Sequence, residues 1–143
     1  MNKDFGYIRS VNLIGLQEFL GVEKSWLQSQ LKEVGIPVEA LDNFEMLISF
    51  NGFCLLHERL SKLVNRPSLG IDLAIAAAPN FAFLGPMSAL ADFVSTAEEF
   101  FDIAMRYWSF HSNAFKLIML HGDAETPSIM RLVGHSYILP SRQ

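Results

Sequence analysis

After Ser112 the chain stops reading as helix, and that change constrains the fold more than any other feature of the sequence. Before it, apolar residues recur three or four positions apart. After it come FKLIMLHG and PSIMRLVGHSYIL, two runs of strand character, with the turn-forming HGDAETP between them. The spacing predicts a helical part over residues 9–112 and an antiparallel hairpin over 115–139. A two-stranded hairpin is marginal by itself. It must lean on the helices or belong to a larger sheet, and an apolar strand running almost to the last residue suggests a chain cut from a longer protein. The expectation is an α+β fold, a helical, bundle-like N-terminal part followed by the hairpin, in one domain of residues 1–143.

The helical part divides at its breakers. Leu13, Leu16 and Leu20 share a face in a first segment from Val11, and Gly21 stops it. A second runs from Ser25 to Val34 and ends at Gly35 and Pro37. A third opens with Asp42-x-x-Glu45, a capping-box pattern, and is predicted to run to Val64 as a central helix, apolar around much of its girth. A fourth, SLGIDLAIAAAP, ends at Pro79. A short fifth spans Pro86 to Phe93. The sixth starts at Ser95 or Thr96, both of which fit a capping box with Glu98 or Glu99, and Phe100, Ile103, Ala104 and Tyr107 form its predicted buried stripe.

With 143 residues, half of them hydrophobic and 18% charged, the chain can bury one core. Its 11 basic and 15 acidic residues give a net charge of -4, which offers no phosphate-neutralising surface. A single Cys, Cys54, excludes an internal disulfide and, with no signal peptide at the polar N-terminus, points to the cytoplasm. The stretch from Ile71 to Leu90 lacks Arg and Lys but contains Asp72, Asn80 and several breakers, so no membrane span is expected.

LIGLQEFLGVEKSWLQSQLKEVGI invites a helix-turn-helix reading, with Leu16, Leu20, Leu27 and Leu31 joining two short helices. Gln28 and Gln30 are then the only base-reading candidates, with no Arg beside them. Two packed helices of a helical subdomain is the simpler reading. HERL, at His57 to Leu60, is half of a zinc signature whose second His would stand at Ser61. His111 and His121 read as solvated or hydrogen-bonded side chains, and Cys54 as a buried, inert thiol.

The order FCLLHERLSKLVNRPSLGIDLA, PNFAFLGPMSAL, STAEEFFDIAMRYWSFH resembles the N-terminal effector-sensing domain, often labelled arabinose-binding-like, of AraC-type bacterial transcription regulators. The family's Gly-Asp-Pro after its long helix is matched by Asn65-Arg66-Pro67. Its Phe-Gly-Leu stretch is matched by Leu69-Gly70-Ile71, and its later Pro and Leu-Gly turn by Pro79 and Leu84-Gly85. Ser95-Thr96 with Glu98-Glu99, Arg106-Tyr107 and Gly122-Asp123 complete the series, which covers the chain from about Gly15 onward. The resemblance implies a cytoplasmic regulatory domain that binds a small organic effector and controls a C-terminal DNA-binding domain absent from these residues. It implies no enzyme, no cofactor and no membrane, DNA as a partner only through that other domain, and room for a homodimer.

Arg106 and Tyr107, placed where the sixth helix meets the hairpin, are the first candidates for effector contact, with Phe83, Phe100 and Phe115 as apolar lining. Arg106 could instead tie to Asp102 on the same helix face. Lys116 and Arg131 are the other cations that the helix and hairpin could bring to an acidic head group. The alternative reading is a helical protein–protein interaction or dimerisation module without a small ligand. Ser, His and Asp residues gather in no catalytic spacing, so no catalytic or metal-binding residues are expected.

Overall fold

The computed structural model describes residues 6–77, 82–120, 122 and 129–134. The expected α+β organisation is present, with helices first and a hairpin after them. A second pair of strands was not expected. β1 (Tyr7–Arg9) and β2 (Leu47–Ser49) pair antiparallel, Tyr7 facing Ser49 and Ile8 facing Ile48. On its other side Ile8 bridges to Ser112, so the N-terminal strand joins the middle of the chain to its later part.

Between these strands lie the first helices. A 3-10 turn at Ser10–Leu13 leads to α1 (Leu16–Leu20) and then α2 (Lys24–Glu33). Gly21 and Gly35 stop them as expected, Gly35 at φ 73°, a left-handed turn that a Cβ disfavours. Leu16, Leu27 and Leu31 are fully buried, with Leu20 packed against them. Each such Leu contributes about 1.5–3 kcal/mol relative to an exposed one. Gln30 is also buried, and its Oε1 accepts a hydrogen bond from Arg59 Nε at 2.7 Å.

The third segment departs from its expected form. Asp42 and Glu45 do not open a helix. Val38–Leu41 is a 3-10 turn, residues 47–49 are β2, and α3 runs over Phe50–Leu63. The cause is Arg9. Its Nη1 donates to Glu45 Oε2 at 2.6 Å and to the Glu45 carbonyl at 3.0 Å, which draws the segment against β1. Asn43 Oδ1 accepts from Glu45 N at 3.2 Å and holds the preceding turn. The cap of α3 is Ser49, whose Oγ accepts from Gly52 N. Nor is α3 apolar all round, since Leu55 and Leu63 are exposed and it buries Gly52, Leu56 and Leu60. Asn65 follows it at φ 51°, a left-handed position that Asn tolerates better than most residues.

Next come α4 (Leu69–Ala77), a 3-10 run at Ala82–Phe93 and α5 (Ala97–His111). Pro79, the expected stop of α4, lies outside the described residues. Thr96 is the cap of α5, its Oγ1 accepting from Glu99 N at 3.1 Å, while Glu99 Oε2 accepts from Ser95 N at 2.8 Å. Ala104 is buried and Phe100 and Ile103 are half-buried, but Tyr107 is 50% exposed and does not belong to the stripe. The hairpin forms between β3 (Phe115–Leu120) and β4 (Ile129–Gly134), Phe115 facing Gly134 and Leu120 facing Ile129. The remainder of the hairpin, to Leu139, lies outside the described residues. β3 leans on α5, with Phe115 packed on Trp108 at 5.2 Å and accepting from its indole N–H at 3.1 Å.

Candidate functional site

Where α4 crosses α3 beside the first 3-10 turn, the packing leaves a cavity of about 270 Å³. Leu69 and Leu73 anchor α4 in the core. Gly70, Ala74 and Ala77 follow at helical spacing on the cavity side, and their small side chains leave the space open. Val11, Asn12 and Ile14 form the second wall. Phe53 and His57, one turn apart on α3, form the third, their rings 4.3 Å apart.

The walls are apolar except for two side chains, and each has one polar atom left over. His57 Nδ1 donates to the Phe53 carbonyl at 3.0 Å. Burial lowers the His57 pKa, against the opposing effect of that hydrogen bond, and favours the neutral ring. A neutral ring with its proton on Nδ1 presents Nε2 as an acceptor. Asn12 Nδ2 donates to the Arg9 carbonyl at 2.9 Å and to His111 Nε2 at 3.1 Å. Both amide hydrogens are thereby used, and Oδ1 remains as a second acceptor. Among the described lining residues there is no cation.

His111, reached through Asn12, is 3% exposed, and its Nδ1 is buried without a hydrogen-bond partner. Burial, then the charge of Arg9, lowers its pKa to about 4. Arg9 Nε donates to the Phe110 carbonyl at 2.6 Å and Tyr7 Oη to the Ser109 carbonyl at 3.0 Å, so the end of α5 is fastened to β1 around this histidine.

Shallower grooves lie elsewhere among the described residues. One, of about 230 Å³, runs past Met105, Trp108, Phe115 and Lys116 and includes polar Ser109, Ser112 and Asn113. Another, of about 480 Å³, lies between α2 and α3. Its charges are paired, Arg59 with Glu33 at 3.9 Å and Lys62 with Glu58 at 2.8 Å.

Among the described residues, the sequence candidates do not line the α3–α4 cavity. Phe115 lines the Trp108 groove with Lys116. Phe100 packs edge-on against Phe101 at 5.5 Å. Arg106 is exposed on α5. Tyr107 is half exposed and packs against Phe110 at 6.2 Å. Phe83 lies on the 3-10 run, and what its ring faces lies outside the described part, as do His121 and His135. Arg131 is exposed on β4, opposite Ile118. The cavity residues are not adjacent in sequence, since they come from three separate segments, residues 11–14, 53–57 and 70–77. Their one local sign is the Phe53–His57 spacing, which HERL masked as half a metal motif.

Cys54 is exposed rather than buried, on the outer side of α3. Its thiol pKa is nonetheless raised by desolvation, which disfavours a reactive thiolate. Among the described residues, no three His, Cys, Asp or Glu side chains converge on a possible metal position. No described helix is long and apolar enough to cross a membrane. No family model matches the chain, and no curated protein matches it.

Proposed function

We propose that this chain is the effector-sensing domain of an AraC-type transcription regulator, taking a small, mainly apolar organic molecule between α3 and α4. The observation that carries the proposal is the cavity itself. It is mainly apolar, half-enclosed by three separate segments and bordered by two polar side chains, His57 and Asn12, the usual make-up of a small-ligand site. Two further features support it. Asn65, standing where the family has Gly, takes the left-handed conformation that Gly would supply. Asn12 touches both the cavity and His111, so an occupant has a direct path to the end of α5 and to the hairpin beyond it.

The alternative, a dimerisation module, draws on Ile71 and Ile75, one turn apart on α4 and 68% and 67% exposed. A small-molecule screen by thermal shift separates the two readings. Sensing predicts ligands that raise the melting temperature of the wild type and not of Ala74→Phe, whose ring fills the cavity. Dimerisation predicts a melting temperature that rises with protein concentration and no such ligand. The full reading frame tests the regulator assignment separately. Two helix-turn-helix units are expected after Gln143, and a frame that ends there contradicts it.

A further inference from the structure

We infer that the cavity selects an uncharged molecule that carries a hydrogen-bond donor, such as a hydroxyl or amide N–H, on an apolar body of about ten non-hydrogen atoms. This deepens the sensing reading and rests on it. The size follows from the volume. A cavity of about 270 Å³, filled at the density of a protein interior of about 0.75, encloses about ten atoms of ordinary van der Waals size.

The polarity follows from which atoms are already committed. His57 has given its Nδ1 proton to the Phe53 carbonyl, and Asn12 has given both amide hydrogens to Arg9 and His111. The polar atoms that these two lining side chains have left to offer an occupant are both acceptors, His57 Nε2 and Asn12 Oδ1. An acceptor-only ligand would leave both unsatisfied once water is displaced, at the full desolvation cost of each. A carboxylate fares worse, since the described lining residues offer it lone pairs and no cation among apolar side chains. The cavity therefore excludes the acidic head group that Arg106 would have served. Arg106 is exposed and belongs to none of its walls.

Three probes of similar size test this. The first is 1-octanol, which donates. The second is 1-methoxyheptane, which has the same number of heavy atoms and cannot donate. The third is octanoate, which is anionic at neutral pH. Titrated into the full chain by calorimetry, octanol is expected to bind about fivefold more tightly than the ether and at least tenfold more tightly than octanoate. In His57→Phe the octanol preference should shrink toward parity while ether binding persists. Should that variant fail to fold, the wild-type protein decides the matter, because the ¹⁵N resonance of His57 Nε2 should move with octanol and stay put with the ether. Equal affinity for octanol and ether, or tightest binding of octanoate, overturns the donor inference and leaves the cavity as a sensing site. Binding of none of the three overturns both.

Discussion

Asn12 Nδ2 stands 3.1 Å from His111 Nε2, a contact between residues 99 positions apart that closes the seam between β1 and α5. The Asn12 amide is held the right way round by its second bond, to the Arg9 carbonyl. The imidazole must therefore accept on Nε2, and its proton sits on Nδ1, which has no partner. Protonation would put a second N–H against the Asn12 amide hydrogens, in a buried site beside Arg9. The seam tolerates only the neutral ring.

That yields a pH prediction with a definite sign. The ordinary pKa of 6.5 holds in the unfolded chain, and burial with Arg9 lowers it to about 4 in the fold. Between those values the unfolded chain binds a proton that the folded chain refuses. The stabilisation is fully present above about pH 6.5 and is lost as pH falls towards 4. The loss expected is about 2 kcal/mol, somewhat less than the whole shift implies because solvent screens part of the interaction. Urea unfolding at pH 7.5, 6, 5 and 4.5 should show it, and His111→Gln should flatten the profile over that window. A histidine proton resonance of His111 that titrates near 6.5 in the folded protein would contradict it.

Gly52 allows α3 to approach the end of α2. A Cβ there would lie 3.0 Å from the Val34 carbonyl oxygen and 3.2 Å from Ile36 Cγ1. Gly52→Ala gains helix propensity worth up to about 1 kcal/mol. It also pushes against a backbone atom that cannot swing aside, in a core where overpacking typically costs about 1–3 kcal/mol. The second effect should win, with a net loss of about 1–2 kcal/mol by urea unfolding. A stabilised Gly52→Ala protein would show that the helices separate more freely than their packing implies.

How much of this was legible in the sequence depended on the range of the interactions. The stops at Gly21 and Gly35, a cap at Thr96, one of the two positions expected, and the pairing of 115–120 with 129–134 within the expected hairpin all follow from local sequence signals. Residues 42–49 went the other way. Asp42-x-x-Glu45 is a sound local helix start, yet Arg9, 36 positions earlier, takes Glu45 into an ion pair, and the residues that follow pair with β1 as a strand. Tyr107 was misplaced because the buried face of α5 is narrow, centred on Ala104. The cavity was the least legible, since Val11, Phe53 and Leu73 meet only when three segments have packed.

The α1–α2 pair should not read DNA. Gln30 is buried and occupied by Arg59, and Gln28 is half-buried, so neither is displayed as a groove-reading side chain. A net charge of -4 also works against duplex binding, which relies on phosphate neutralisation. Gel-shift titration of these 143 residues against random and genomic duplexes at 100 mM salt should show no sequence-selective complex. A selective complex that is lost on Gln28→Ala would reinstate the helix-turn-helix reading.

The central claim, that the space between α3 and α4 is the effector site, is tested most directly by locating a bound molecule. Intermolecular NOEs from 1-octanol to the protein, recorded at saturation, report which side chains it touches. The cavity predicts contacts to the methyl groups of Val11, Leu73 and Ala74 and to the ring of Phe53. Contacts confined to Phe100, Trp108 and Phe115 would move the site to the face between α5 and the hairpin and contradict the assignment.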